Sequence, residues 1–152
     1  MRARKRFNNQ KSSPKNRSSC KTKKKKFVKK KSKSISSYRG YYKGIRCDSR
    51  WELAFLIYCL DKRRKISRCS NYFVYTFKGK EHKYFPDFVV NNVIVEIKGK
   101  WKKNLNLKLA SVVKAGFKVK LIDSKNIQPY LKYCYKKYET EQLEKLYDKR
   151  LN

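Results

Sequence analysis

The sequence predicts an α/β fold, with a basic N-terminal arm in front of it and a helical tail behind it. Three observations support this: the first part of the chain has no acidic residue, an almost wholly apolar helical segment follows, and strand-like segments flank a second amphipathic helix. A length of 152 residues suits one domain with an arm rather than two large domains. We expect a disordered, lysine-rich arm at residues 1–45 and the domain at 46–152, with its core at about 46–123 and its tail at 124–152.

The expected elements follow in the order helix, three strands, helix, strand and tail. The first helix is apolar nearly all round and should be buried, and the second ends at Gly116. The three consecutive strands should form a meander, and the fourth could join the same sheet. The expected bounds are 49–64 and 105–115 for the helices, 69–77, 83–90, 93–98 and 117–122 for the strands, and 126–152 for one or two tail helices.

The chain is strongly basic, with 43 lysines and arginines against 11 acidic residues and a net charge of +32. Residues 1–46 hold 19 basic residues and no acidic one, so the remainder still carries +13. Because the arm lacks apolar periodicity, we expect it to be disordered when free and to neutralise backbone phosphates. The lysines expected to bind nucleic acid are Lys23, Lys24, Lys25, Lys26, Lys29, Lys30 and Lys31 in the arm, and Lys100, Lys102 and Lys103 in the domain.

Composition also excludes several classes of protein. No apolar run approaches the roughly 20 residues of a membrane-spanning helix, and the basic N-terminal segment lacks the apolar region of a secretory signal. A polyanion, most often nucleic acid, is the expected partner; an anionic membrane surface would require an amphipathic helix that the arm lacks. The five cysteines have no C-x-x-C spacing and indicate reduced thiols in an intracellular protein.

A predicted hairpin brings two carboxylates together. Asparagine tolerates the positive φ of a tight turn, so Asn91 and Asn92 should be its two loop residues. Asp87 then stands directly opposite Glu96, with Cβ atoms roughly 5 Å apart, and alternation places Lys98 on the face of Glu96. Two like charges on a largely apolar face require a compensating cation.

A divalent metal ion would supply that charge. Carboxylate oxygens suit Mg²⁺, with Mn²⁺ as an alternative, and such an ion activates water toward a phosphate. Lys98 could orient the water or stabilise the developing charge. The plainer interpretation is an incidental ion-pair cluster at a sheet edge. Pro86 indicates either an edge strand or a bulge that directs Asp87 toward the site, and we favour the bulge.

Glu52 is the fourth candidate, with two interpretations that can coexist. Ser49 and Glu52 fit a capping box at the start of the first helix. The same helix end could instead present Glu52 to the metal.

The string Pro86-Asp87, followed after eight residues by Glu96-Ile97-Lys98, resembles the signature of the PD-(D/E)XK nuclease superfamily. Tyr84-Phe85-Pro86-Asp87-Phe88 and Val95-Glu96-Ile97-Lys98-Gly99 are similar to the phage endonuclease I family of Holliday-junction resolvases, over residues of about 46–123. The resemblance implies a restriction-endonuclease-like core, Mg²⁺-dependent cleavage of DNA and a homodimer. It also implies a catalytic set of Glu52, Asp87, Glu96 and Lys98, with Asp87, Glu96 and Glu52 as metal ligands.

Other functions stay open at the level of sequence. Homing and mismatch-nicking endonucleases have similar cores, and the lysine arm is not part of the resolvase pattern. A non-catalytic nucleic-acid-binding protein would also explain the lysines and the 12 tyrosines. A pure polyanion binder, however, gains nothing from a carboxylate pair beside its phosphates.

Overall fold

The computed structural model describes residues 38–151, which form a mixed α/β domain. The helices in this part are α1 (Arg50–Asp61), α2 (Leu105–Lys114), α3 (Gln128–Tyr138) and the 3-10 helix Leu143–Leu146. The strands are β1 (Arg39–Tyr42), β2 (Ile45–Cys47), β3 (Ile66–Arg68), β4 (Phe73–Phe77), β5 (Lys80–Tyr84), β6 (Phe88–Val90), β7 (Val93–Ile97), β8 (Val119–Ile122) and β9 (Lys149–Leu151). None of the described helices is long and apolar enough to cross a membrane.

The central sheet has four strands in the order β3-β6-β7-β8. The β6–β7 hairpin turns at Asn91 and Asn92, whose φ angles of 47° and 66° both lie in the left-handed region, and Val90 pairs with Val93. The predicted turn and register are therefore confirmed. After the crossover through α2, β8 pairs parallel to β7, so the last predicted strand does join the sheet.

The predicted meander differs from the observed one in its first two strands. β4, from the segment 69–77, pairs with β5 in a separate two-stranded sheet, and β3 takes the expected place beside β6. The predicted strand 83–90 is divided into β5 and β6 around the buried Pro86. Pro86 therefore marks a break between two sheets and not a bulge, since proline cannot donate to a ladder.

Both faces of the central sheet are covered. Phe88, Val95 and Ile97 pack on one side in the core that includes α1 and α3, while Ile94 lies in a second core with Tyr84. Tyr84 and Phe88 lie in different cores because the segment 83–90, expected to be one continuous strand, breaks at Pro86. Phe85, beside that break, is 60% exposed.

A third sheet corrects both ends of the predicted domain. β1 pairs with β2 and with the C-terminal β9, so the folded domain includes residues before 46 and the tail is only partly helical. Gly40 makes this pairing possible, because a Cβ there would overlap the Tyr147 ring and lie 2.8 Å from the Lys149 carbonyl oxygen. The arm lysines Lys23 to Lys26 and Lys29 to Lys31 lie outside the described residues.

Candidate functional site

Three carboxylates lie in the interior of the domain. Among residues 38–151, the buried charged side chains are Glu52, Asp87 and Glu96, which are 6%, 7% and 1% exposed. These are the three acids that the sequence selected. Their burial carries a large desolvation cost unless other groups compensate the charge.

Asp87 lies immediately before β6 and is held there by two contacts with backbone N–H groups. Its Oδ2 accepts a hydrogen bond of 2.7 Å from the Ile97 N–H, and its carbonyl oxygen accepts one of 3.2 Å from the Cys69 N–H. One further step of the β6–β7 register places Asp87 opposite Glu96, as the hairpin predicts. The strands therefore hold the carboxylate of Asp87 against β7.

The pKa of Asp87 is raised to about 7. Burial is the largest cause, and the charges of Glu96 and Glu52 add to it, while the Ile97 N–H and Lys98 act in the opposite direction. The raised pKa of Asp87 therefore reflects its burial beside two other acids in the same interior region. Near neutral pH, Asp87 therefore binds a proton more readily than an ordinary aspartate does.

Glu96 is the most buried of the three and has the fewest partners. Lys98 Nζ lies 2.7 Å from Glu96 Oε1, but neither carboxylate oxygen makes a hydrogen bond of good geometry with any described residue. Burial lowers the pKa of Lys98, yet Glu96, Asp87 and Glu52 more than offset it and the net pKa is raised. Lys98 therefore stays charged, while Glu96 retains oxygens able to accept another ligand.

Glu52 closes the N-terminus of α1. Ser49 Oγ accepts from the Glu52 N–H at 3.2 Å and donates to Glu52 Oε1 at 3.0 Å, which confirms the predicted cap. Glu52 Oε2 accepts from the Asp48 N–H at 2.9 Å and from Arg68 Nη1 at 2.7 Å. Both carboxylate oxygens of Glu52 accept hydrogen bonds. Its role as a metal ligand stays a prediction, and to bind an ion Glu52 would have to give up one of these hydrogen bonds.

Arg68 is a site residue that the sequence did not reveal. It bridges Glu52 and Asp48, the latter at 2.9 Å, and its Nη2 lies 4.0 Å from Asp87 Oδ1. Burial lowers the pKa of Arg68, but Glu52, Asp87 and Asp48 raise it by more. Arg68 ends β3, a strand that the predicted elements lacked, so only the observed β3–β6 pairing brings it to the carboxylates.

An open cleft of about 800 Å³ adjoins the cluster on the side of Lys98 and Glu52. Two of its lining residues are in close contact, since a Cβ added at Gly99 would stand 3.2 Å from the Trp51 ring. Asp87 and Glu96 do not line the cleft, and Lys98 connects them to it. The lining residues are Tyr38, Ser49, Arg50, Trp51, Glu52, Ile97, Lys98, Gly99, Lys100 and Glu144.

A small lysine-lined pocket of about 10 Å³ shares Lys98 and Lys100 with the cleft, and this volume suits a single water-sized atom. Lys108 is a second residue missed from sequence: its Nζ lies 5.2 Å from the Tyr84 ring centroid. Burial and the neighbouring Lys98 lower the pKa of Lys108. Lys103 is exposed and lines neither space. The lining residues are Lys98, Lys100, Lys102, Asn104, Leu105 and Lys108.

The donor set of the site fits a metal ion only in part. Within residues 38–151, no group of three or more His, Cys, Asp or Glu side chains is arranged to hold one. Among the described residues, the buried side-chain oxygens without a hydrogen bond nonetheless include both carboxylate oxygens of Glu96, together with Tyr84 OH and Glu144 Oε2. Asp87 Oδ1 lies 4.0 Å from Arg68 Nη2. Two carboxylates and no histidine or thiol fit a hard cation such as Mg²⁺ or Mn²⁺ that keeps several waters.

No family model, no curated protein and no solved structure matched the chain.

Proposed function

We propose that the protein is a Mg²⁺-dependent endonuclease that hydrolyses DNA phosphodiester bonds, with Mn²⁺ as an alternative ion. The observation that carries the proposal is the buried pair of Asp87 and Glu96 beside Lys98, whose ammonium lies 2.7 Å from Glu96 Oε1. Glu96 Oε2 makes no hydrogen bond with any residue in the described part of the chain. A domain that carries a large positive charge but buries three of its eleven acids at one place is better suited to acting on a polyanion than to merely holding one.

The fold and the sequence resemblance support the same proposal. Apart from the β4–β5 hairpin between β3 and β6, the order of α1, antiparallel β3-β6-β7, α2 and parallel β8 is consistent with the restriction-endonuclease-like core that the resemblance implies. The Pro86-Asp87 and Glu96-Ile97-Lys98 strings supply the motif of PD-(D/E)XK nucleases. A junction-resolving activity and a homodimer belong to the proposal as implications of the resemblance, as does an intracellular, DNA-associated location.

Each residue has a part in the proposed reaction. Asp87 and Glu96 would hold the ion, which when bound polarises the phosphate and lowers the pKa of water. Lys98 reaches the cleft and offers its ammonium to the charge that develops on the phosphate. Glu52 orders the start of α1 and contributes negative charge, and Lys100, Lys102 and Lys108 would hold flanking phosphates. The arm lysines would add contacts with the backbone that are independent of sequence.

A second candidate is a non-catalytic nucleic-acid-binding protein. It is favoured by the fully engaged oxygens of Glu52 and by the absence, among the described residues, of a three-ligand metal group. In that case the acids would serve as an internal ion-pair network around Arg68 and Lys98.

The test is cleavage of linear, nicked and four-way-junction DNA by the full chain with Mg²⁺, with Mn²⁺ and with a chelator. Asp87→Asn should abolish cleavage and leave DNA affinity in chelator within about twofold, because the phosphate contacts are made by lysines. Glu81→Gln is the matched control, since it makes an equivalent acid-to-amide change at an exposed position on β5.

Failure of the wild-type protein to cut any of the three substrates with either ion would overturn the proposal and favour the binding protein. Equal loss in Glu81→Gln would show that Asp87 has no special role. Much faster cutting of the junction than of linear duplex would support a resolvase, whereas cutting at one long sequence would support a homing enzyme.

A further inference from the structure

An exposed pair of aromatic rings lies at the open end of the β4–β5 sheet, directly before β4 and directly after β5. Neither ring lines the cleft or the lysine-lined pocket. Tyr72 is 50% exposed and Phe85 is 60% exposed. Their ring centroids are 5.7 Å apart with planes inclined at 45°. Lys83 Nζ lies 4.6 Å from the Tyr72 ring centroid, so a cation stands beside the pair.

The pairing of β4 with β5 explains why these rings face outward. Phe73 pairs with Tyr84, and both are buried, so the preceding Tyr72 and the following Phe85 turn to the opposite face. Val74 lies on that outer face too and is 48% exposed. Adjacent large apolar side chains left in water commonly mark a binding surface.

Two stretches of backbone connect the aromatic pair to Asp87. Phe85 precedes Asp87 by two residues, so their Cα atoms are at most about 7 Å apart. Tyr72 follows Cys69 by three residues, and the Cys69 N–H bonds to the Asp87 carbonyl oxygen. The pair is therefore fixed near the carboxylate that would hold the metal ion.

We propose that Tyr72 and Phe85 form a stacking surface for an unpaired nucleobase, with Lys83 beside it to contact a phosphate. Aromatic rings bind single-stranded bases by stacking, and every base offers a π-face for it. Nucleic acid is favoured over a second copy of this chain because the exposed Lys78, Lys80 and Lys83 outnumber Glu81 on this hairpin. Two copies would bring like charges together.

One consequence of the stacking surface concerns the choice of substrate and rests on the proposed function. If the site cuts DNA, a substrate with an unpaired base near the bond cut, as in a bulge, a mismatch or a single-stranded segment, should be cut faster than the same substrate fully paired. Binding of the unpaired base does not itself require cleavage.

The experiment measures binding of the full chain, in chelator, to a duplex with a single-base bulge and to the perfectly paired duplex. An aminopurine in the bulge reports stacking by loss of its fluorescence. Phe85→Ala should weaken binding to the bulged duplex about 5- to 150-fold, change binding to the paired duplex by less than about twofold, and abolish the fluorescence loss. Tyr72→Ala should act in the same direction.

Val113→Ala is the matched control, because Val113 is a 58% exposed apolar residue on α2. It should leave both affinities unchanged. Phe85→Leu separates stacking from apolar contact, since it should lose the fluorescence response although it stays hydrophobic. Thermal unfolding of each variant verifies that the fold is retained.

Equal weakening on both duplexes, no weakening, or an unchanged fluorescence response would overturn the stacking surface. Conversion of a dimer to a monomer by Phe85→Ala would assign the face to a second copy instead. These outcomes are independent of the nuclease proposal: Asp87→Asn tests cleavage, whereas the bulge assay contains no divalent ion.

Discussion

Arg68 Nη1 lies 2.7 Å from Glu52 Oε2, and this ion pair joins the end of β3 to the first turn of α1. The side chain of Glu52 is only 8% exposed, whereas that of Arg68 is 32% exposed. The same guanidinium reaches Asp48 at 2.9 Å and approaches Asp87 at 4.0 Å. Arg68 is therefore the common cation of three acids on three different segments.

Arg68→Ala should lower the free energy of unfolding by about 2–4 kcal/mol, because it leaves the buried charge of Glu52 without its partner. Chemical denaturation at neutral pH measures this. Lys137→Ala is the control, since it removes the cation of an ion pair with Asp61 in which Lys137 is 41% exposed, and exposed pairs contribute little. Similar losses in the two variants would contradict the buried role of Arg68.

The raised pKa of Asp87 predicts a specific dependence of stability on pH. An ordinary aspartate has a pKa near 3.9 when unfolded, and that of folded Asp87 is about 7. Between these values the folded state binds more protons, so this contribution to stability is fully present below about pH 4 and is lost as pH rises through 7. Its full size is of the order of 4 kcal/mol.

Urea denaturation of the wild type and of Asp87→Asn at several pH values from 5 to about 8 isolates this contribution. The difference in unfolding free energy between the two proteins should move in favour of Asp87→Asn as pH rises, because asparagine does not ionise. Parallel curves for the two proteins would show that Asp87 titrates normally.

Mg²⁺ should stabilise the folded domain if Asp87 and Glu96 hold it. An ion at about 100 times its dissociation constant adds about 2.7 kcal/mol, which appears as a higher melting temperature. Glu96→Gln should remove this increase, while the exposed Glu81→Gln should preserve it. Equal increases in the two variants would place any bound Mg²⁺ elsewhere.

The lysines beside the site should set part of the salt dependence of DNA binding. Replacing Lys100 and Lys102 together by alanine should reduce the log–log slope of affinity against salt by about 1.8, or about 0.9 for each phosphate that is no longer neutralised. Lys132→Ala with Lys136→Ala on α3 removes the same charge from other exposed positions. Equal reductions of the slope in the two double variants would mean that only net charge matters. Titrations of DNA affinity against salt, made in chelator, measure both slopes.

Local chemistry was sufficient to predict the hairpin and the helix cap. Asn91 and Asn92 adopt the positive φ angles that a two-residue turn requires, and the register of β6 with β7 follows from that turn alone. The hydrogen bond from the Glu52 N–H to Ser49 Oγ is likewise decided within four residues. For this reason the acids Glu52, Asp87 and Glu96 could be selected before the fold was seen.

Long-range pairing could not be predicted in the same way. The alternation of residues 69–77 identifies a strand but does not say which sheet the strand joins. Pro86 separates two sheets because proline has no backbone N–H to donate to a ladder. Arg68 and Lys108 can be recognised as neighbours of the carboxylates only from the packing of elements that are distant in sequence. β9 was expected to be helical because its pattern is too short to show a strand.

The pairing of β1 with β9 joins the two ends of the described domain. Arg39 lies opposite Leu151, whereas every strand of the central sheet lies within residues 66–122. The third sheet therefore closes the longest loop in the domain, and the entropic cost of closing a loop grows with its length. The hydrogen bond from Tyr147 to the Tyr38 carbonyl oxygen belongs to that closure. The wall of the cleft at Tyr38 thus depends on a long-range pairing, whereas the β6–β7 hairpin that brings Asp87 opposite Glu96 does not.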